Sequence, residues 1–154
     1  MKPLFYLILL SLSLVGFGQS RIGTKFAYGS ELESFAIGGK ATFGLDNRFS
    51  ISPEIMYFFE NDNVSAFTLN GDLHYALNSN WSGFKPYLIG GVNYTDLDVN
   101  NNRFDDRSDS EWGLNLGIGA AYPLSSSVRF ISEAKYVLSD FDQLVVSVGF
   151  LVNM

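Results

Sequence analysis

From about residue 21 onward the sequence alternates, position by position, between large apolar and small or polar side chains. A period of two is the signature of a β-strand, because successive side chains point to opposite faces. The pattern is clearest at 112–122. Trp112, Leu114, Leu116, Ile118, Ala120 and Tyr122 share one face, and Gly113, Asn115, Gly117, Gly119 and Ala121 share the other. Leu144, Val146, Val148, Phe150, Val152 and Met154 repeat it against Gln143, Ser147, Gly149 and Asn153. No stretch after Ser20 sustains a helical period. The alternation predicts eight strands at about 21–29, 34–45, 48–60, 64–77, 84–96, 111–123, 128–139 and 143–154, each long enough to cross a bilayer at a tilt. Turn-forming residues separate them, as at Leu45-Asp46-Asn47-Arg48, Asn78-Ser79-Asn80 and Ser125-Ser126-Ser127.

A soluble sandwich also alternates, so the direction in which each face points must be argued separately. The polar face is rich in Gly, Ala, Ser, Thr and Asn. Charged residues make up only 17% of the chain, whereas soluble domains carry about a quarter. Strands that face water on one side are normally charged there. Small residues instead suit the narrow interior of an eight-stranded barrel. Aromatic side chains gather near strand ends on the apolar face. Tyr28, Phe35, Tyr57, Phe59, Phe67, Tyr94, Trp112 and Tyr136 lie toward one rim; Phe43, Phe49, Tyr75, Phe84, Tyr122, Phe130 and Phe150 lie toward the other. Two aromatic girdles around an aliphatic band describe a transmembrane β-barrel whose apolar side chains face lipid. Loop lengths agree, with short connections at 45–48, 78–83 and 124–127 on one side and the longest, about 97–110, on the other.

Residues 1–20 read as a cleaved signal peptide. Lys2 supplies the positive region, Leu4 to Val15 the apolar core, and Gly16-Phe17-Gly18 the small residues near a cleavage site between Gly18 and Arg21. The apolar core is short for a spanning helix, which needs about 20 residues. The mature domain, 21–154, is therefore expected outside the cytoplasm. The absence of cysteine removes disulfides, thiolate metal sites and a lipidated cysteine from consideration, and a net charge of −6 argues against nucleic acid as a partner.

The inward face carries Lys25, Lys40, Glu54, Asp72, Lys85, Arg129, Glu133 and Lys135, with His74 nearby. Mixed signs in a narrow lumen predict a paired network rather than a water path, since an unpaired buried charge is costly. His74 is the only histidine, so a transition-metal site is not expected. Tyr75 and Ala76 follow it, so the His-x-Ser arrangement of an outer-membrane lipid hydrolase is missing. Asp98, Asn100, Asn102 and Asp109 approach calcium-loop spacing. Arg103, however, stands where that loop wants Gly, and no Glu closes it, so a solvated acidic loop is expected and no metal. Pro53 falls inside the third strand, where a missing ladder donor predicts a kink or bulge.

The stretch from Lys85 to Tyr94, KPYLIGGVNY, resembles a KPYxxxGxGY strand. Gly117-Ile118-Gly119-Ala120-Ala121-Tyr122 followed by Arg129 and Glu133-Ala134-Lys135-Tyr136 resembles a closing GxGxxY…EAKY hairpin. Both belong to the outer membrane protein β-barrel domain family, which is similar to the OmpA transmembrane domain and to OmpX. The resemblance covers the whole mature chain and implies an eight-stranded antiparallel up-and-down barrel in the outer membrane of a Gram-negative bacterium, with no catalytic residues. Family members often end in Phe; this chain ends in Met154, on the apolar face, and Phe150 can serve the same recognition. The combined expectation is a monomeric, non-enzymatic envelope protein without a cofactor. Its partners are outer-membrane lipid and, during biogenesis, the barrel-insertion machinery. Two other roles fit less of the sequence: a surface interaction protein that uses loop 97–110, and a soluble exported barrel that binds a small apolar ligand.

Overall fold

In the computed structural model, which describes residues 19–79, 81–99, 107–140 and 142–154 (backbone only at 107 and 108), the chain forms eight strands. They are β1 (Ser20–Gly29), β2 (Ser34–Gly44), β3 (Phe49–Asn61), β4 (Val64–Ala76), β5 (Lys85–Val99), β6 (Arg107–Pro123), β7 (Val128–Leu138) and β8 (Gln143–Asn153). Each pairs antiparallel with its sequence neighbour, and β8 returns to β1 from Arg21↔Asn153 to Gly29↔Val145, closing the barrel. Closure satisfies every strand edge internally, which lipid requires. The expected signal peptide lies, apart from Gln19 and Ser20, outside the described residues.

The facing follows the alternation. Leu114, Leu116 and Ile118 are exposed, as are Val146, Val148 and Phe150, while Asn115, Glu133 and Ser147 are buried. An aliphatic belt of this extent has no place in water. It also excludes the soluble apolar-ligand barrel, whose large side chains would line the lumen. Twelve of the fifteen girdle residues form contacting pairs. Tyr28–Phe35, Tyr57–Phe59 and Tyr94–Trp112 lie toward the outer rim, with ring centroids 5.2, 5.8 and 5.1 Å apart. Phe49–Tyr75, Phe84–Tyr122 and Phe130–Phe150 lie toward the rim that carries both termini, at 5.0, 5.0 and 5.7 Å. The even strand count puts both ends of the described chain on that second rim, which is taken as the periplasmic one. The expected asymmetry of loop lengths is not seen: 77–84 on that rim spans eight residues, whereas 62–63 on the other spans two.

The structure corrects two local expectations. Pro53 produces no bulge. It pairs with Gly71 in an unbroken β3–β4 ladder, and the β2–β3 register is the same on both sides of it, Lys40↔Glu54 and Phe43↔Ile51. Only the intervening rungs are missing, and there the Ser52 hydroxyl donates to the Ala41 carbonyl at 2.9 Å. The one register shift of β3 lies at Phe58–Asn61 instead, before a two-residue turn whose Asp62 and Asn63 both have positive φ, 51° and 64°. The second correction concerns loop 97–110. Its flanks are strand: Leu97↔Asp109, Asp98↔Ser108 and Val99↔Arg107 continue the β5–β6 ladder.

Candidate functional site

The lumen is organised in layers. Toward the outer rim Met56, Phe58 and Val137 pack with Ala27, Ala36, Ala66 and Val145. Toward the periplasmic rim Ala121, Ile131 and Leu151 pack with Tyr87. Between these apolar clusters lies a charged layer built from five strands. The Lys25 ammonium donates to Glu54 Oε2 at 2.5 Å and to Glu133 Oε2 at 2.6 Å. Lys40 reaches Glu133 Oε1 at 2.6 Å and lies 3.6 Å from Glu54 Oε2. Lys135 donates to Glu54 Oε1 at 3.0 Å and to Asp72 Oδ2 at 2.9 Å. All six side chains are essentially without solvent exposure, and three cations face three carboxylates. Short charge-assisted contacts of this kind are the strong class of hydrogen bond.

Neutral groups extend the layer. Asn115 Nδ2 donates to Asp72 Oδ1 at 2.7 Å and to Asn70 Oδ1 at 2.9 Å; Asn93 Nδ2 also donates to Asn70 Oδ1, at 2.7 Å. Asn70 in turn donates to Glu54 Oε1 at 3.2 Å. Tyr87 closes the periplasmic side: its hydroxyl donates to Glu133 Oε1 at 2.7 Å and its ring stacks on His74 at 4.7 Å. The ring lies over Gly119, where an added Cβ would come within 2.4 Å of it. His74 Nε2 is 3.4 Å from Lys40 Nζ, and no serine hydrogen-bonds the imidazole among the described residues.

Lys25, Lys40, Glu54, Asp72, His74, Glu133 and Lys135 thus meet in one layer. Lys85 and Arg129, expected with them, do not. Both are at inward-facing register positions, but they stand at the periplasmic mouth, around a cavity of about 570 Å³. Arg129 is four residues below Glu133, or about 13 Å along the strand, and nearer lysines already occupy the carboxylates. The calcium arrangement also fails. Asn100 and Asn102 lie outside the described residues, while Asp98 and Asp109, at positions of opposite parity on paired strands, project from opposite faces of the sheet. They cannot ligate one ion. The sequence reading missed Tyr87, Asn70, Asn93 and Asn115. Their parity with Lys85, Asp72 and Gly117 was the available signal.

The chain matches the outer membrane protein beta-barrel domain family over residues 8–151 and belongs to it. It is accordingly an outer-membrane protein. No curated protein matches the sequence. Among solved structures it is similar to the N-terminal β-barrel domain of Pseudomonas aeruginosa OprF, at 14% identity and a TM-score of 0.76, covering 89% of this chain and 98% of that one. It is also similar to Neisserial surface protein A, at 15% identity and a TM-score of 0.69, with 88% and 96% covered. A third likeness is to Ail, the attachment invasion locus protein of Yersinia pestis, at 11% identity and a TM-score of 0.62, with 88% and 95% covered. At these identities the likeness is one of fold.

Proposed function

We propose that this chain is a non-enzymatic structural barrel of the outer membrane, with its lumen closed by the buried charge layer. The observation that carries this reading is the balance of that layer: three lysines and three carboxylates interlock with amides between two apolar clusters. A continuous water path would have to break contacts worth several kcal/mol once desolvated. The protein is expected to act as a monomer, inserted by the barrel-assembly machinery after removal of residues up to about Ser20. Heat-modifiable gel migration and the intact mass of protein extracted from outer membranes test those two points. Planar-bilayer recordings of the purified protein test the closed lumen. They should show no stable channel of porin size, and a reproducible large conductance overturns the reading.

A second reading, surface interaction, has one observation in its favour. β5 and β6 are the longest strands, so their hairpin extends beyond the others at the outer end. Shortening the hairpin by residues 98–108 should then leave the barrel heat-modifiable while abolishing adhesion of expressing cells to host matrix. Unchanged adhesion removes this reading.

A further inference from the structure

The periplasmic mouth holds cations that form no ion pair with a carboxylate among the described residues. Arg21 from β1, Lys85 from β5 and Arg129 from β7 surround the cavity of about 570 Å³ below Ile131 and Leu151. Arg21 sits beside Asn153 and Arg129 beside Leu151, on neighbouring inward positions of β8, near enough for the two guanidinium groups to repel. Within the mature domain the polar contact of Arg21 is neutral, Asn153 Oδ1 at 3.1 Å. Lys85 and Arg129 form no ion pair among the described residues. The single acid of the wall, Asp46, turns its carboxylate back into its own turn and accepts the N–H groups of Arg48 and Phe49, both at 2.7 Å. Arg48 adds a further cation at the rim, donating to the Tyr75 hydroxyl at 2.9 Å.

This positive mouth belongs to a chain whose net charge is −6, so it is not a by-product of a basic composition. The cavity is concave, and Pro86, Ala121, Ile131 and Leu151 give it low-dielectric walls. Such walls focus the field of charges that face one another across a cleft. Its volume falls within the range of small-molecule sites, roughly 300–1,000 Å³. Guanidinium forks match multi-oxygen anions, to which they can donate two parallel hydrogen bonds.

We propose that the periplasmic mouth is a binding site for an anion of several oxygens, a phosphate or polycarboxylate group, held by Arg21, Lys85 and Arg129. Binding relieves the repulsion between the cations. Two sources share this chemistry: a soluble periplasmic anion and the headgroup of an anionic phospholipid in the inner leaflet.

The test uses the folded chain in phosphatidylcholine nanodiscs, where both mouths are accessible, at low salt. Inorganic pyrophosphate is titrated calorimetrically into wild type, into Lys85→Gln/Arg129→Gln, and into Arg103→Gln/Arg107→Gln, which removes the same formal charge from the sequence between β5 and β6 and the first residue of β6. The first pair should weaken binding by at least about tenfold, the loss expected for one charge-assisted contact. The second pair should change it by less than about twofold, as charges screened by salt and outside the site do. In a second arm, native mass spectrometry counts phosphatidylglycerol retained from mixed lipid. Retention by wild type and not by Lys85→Gln/Arg129→Gln assigns the headgroup as occupant; pyrophosphate binding without retention assigns a soluble anion. Equal weakening by the two variant pairs, or neither pyrophosphate binding nor lipid retention by wild type, overturns the proposal. Unfolding in urea keeps the comparison sound. Without pyrophosphate the mouth variant should be at least as resistant as wild type, and pyrophosphate should raise the midpoints of wild type and the control pair by more than that of the mouth variant.

Discussion

Glu133 is the residue on which the charge layer turns, and Glu133→Gln is the most informative perturbation. Its carboxylate is 2% exposed at residue level and accepts from Lys25 and Lys40, both at 2.6 Å, and from the Tyr87 hydroxyl at 2.7 Å. Gln preserves the volume and removes the charge. As charged partners Lys25 then keeps only Glu54, and Lys40 only the same carboxylate at 3.6 Å, with His74 Nε2 at 3.4 Å. Three buried ammonium groups would face two carboxylates. Breaking a buried pair in this way costs about 3–5 kcal/mol. At a mid-range urea slope the unfolding midpoint should fall by roughly 2 M. The assay is urea unfolding from phosphatidylcholine vesicles, followed by tryptophan fluorescence and by mobility in unheated gels. Glu31→Gln, in the exposed β1–β2 turn, is the comparison and should cost about 0–1 kcal/mol. Adding Lys40→Met to Glu133→Gln restores charge balance and should recover part of the loss. Equal midpoints for Glu133→Gln and Glu31→Gln, or a double variant whose losses simply add, would refute the coupled network.

Leu116, exposed to lipid between Trp112 and Tyr122, should lose about 2–4 kcal/mol of folding free energy in bilayers on substitution by Arg; wild-type refolding yield and midpoint would mean that the facing is wrong. Gly117→Ala places a Cβ 2.3 Å from the Ala134 carbonyl oxygen and should impair assembly, whereas Gly90→Ala meets nothing within 4 Å and should be neutral, as scored by the heat-modifiable fraction. In the periplasmic turn, backbone hydrogen bonds from Phe49 and Arg48 hold the Asp46 carboxyl below its usual range. A lowered folded-state value means that its support of the turn is complete above the ordinary carboxylate range and is lost as pH falls through the lowered value. The protection of the Phe49 amide, taken as observed against intrinsic exchange rate at each pH, should therefore fall on acidification in wild type and lose that dependence in Asp46→Asn.

Strand number, closure and the inside–outside assignment were legible because they rest on a local rule. With a period of two, each side chain's face follows from its neighbours, and the aromatic ends mark where lipid gives way to water. The same rule lost its signal at 97–99 and 107–110. Beyond the bilayer both faces are wet, so the strand there has no reason to alternate, and Asp98 and Asp109 read as loop. Facing therefore came from the sequence alone, together with the charged content of the lumen: which lysines and acids are inside. Their partners did not. That Glu133 meets Lys25 and Lys40, that Tyr87 lies over Gly119, and that Lys85 and Arg129 are left at the mouth depend on height along the barrel axis. Height is set by the stagger of all eight strands on closure, a non-local property that no single segment encodes.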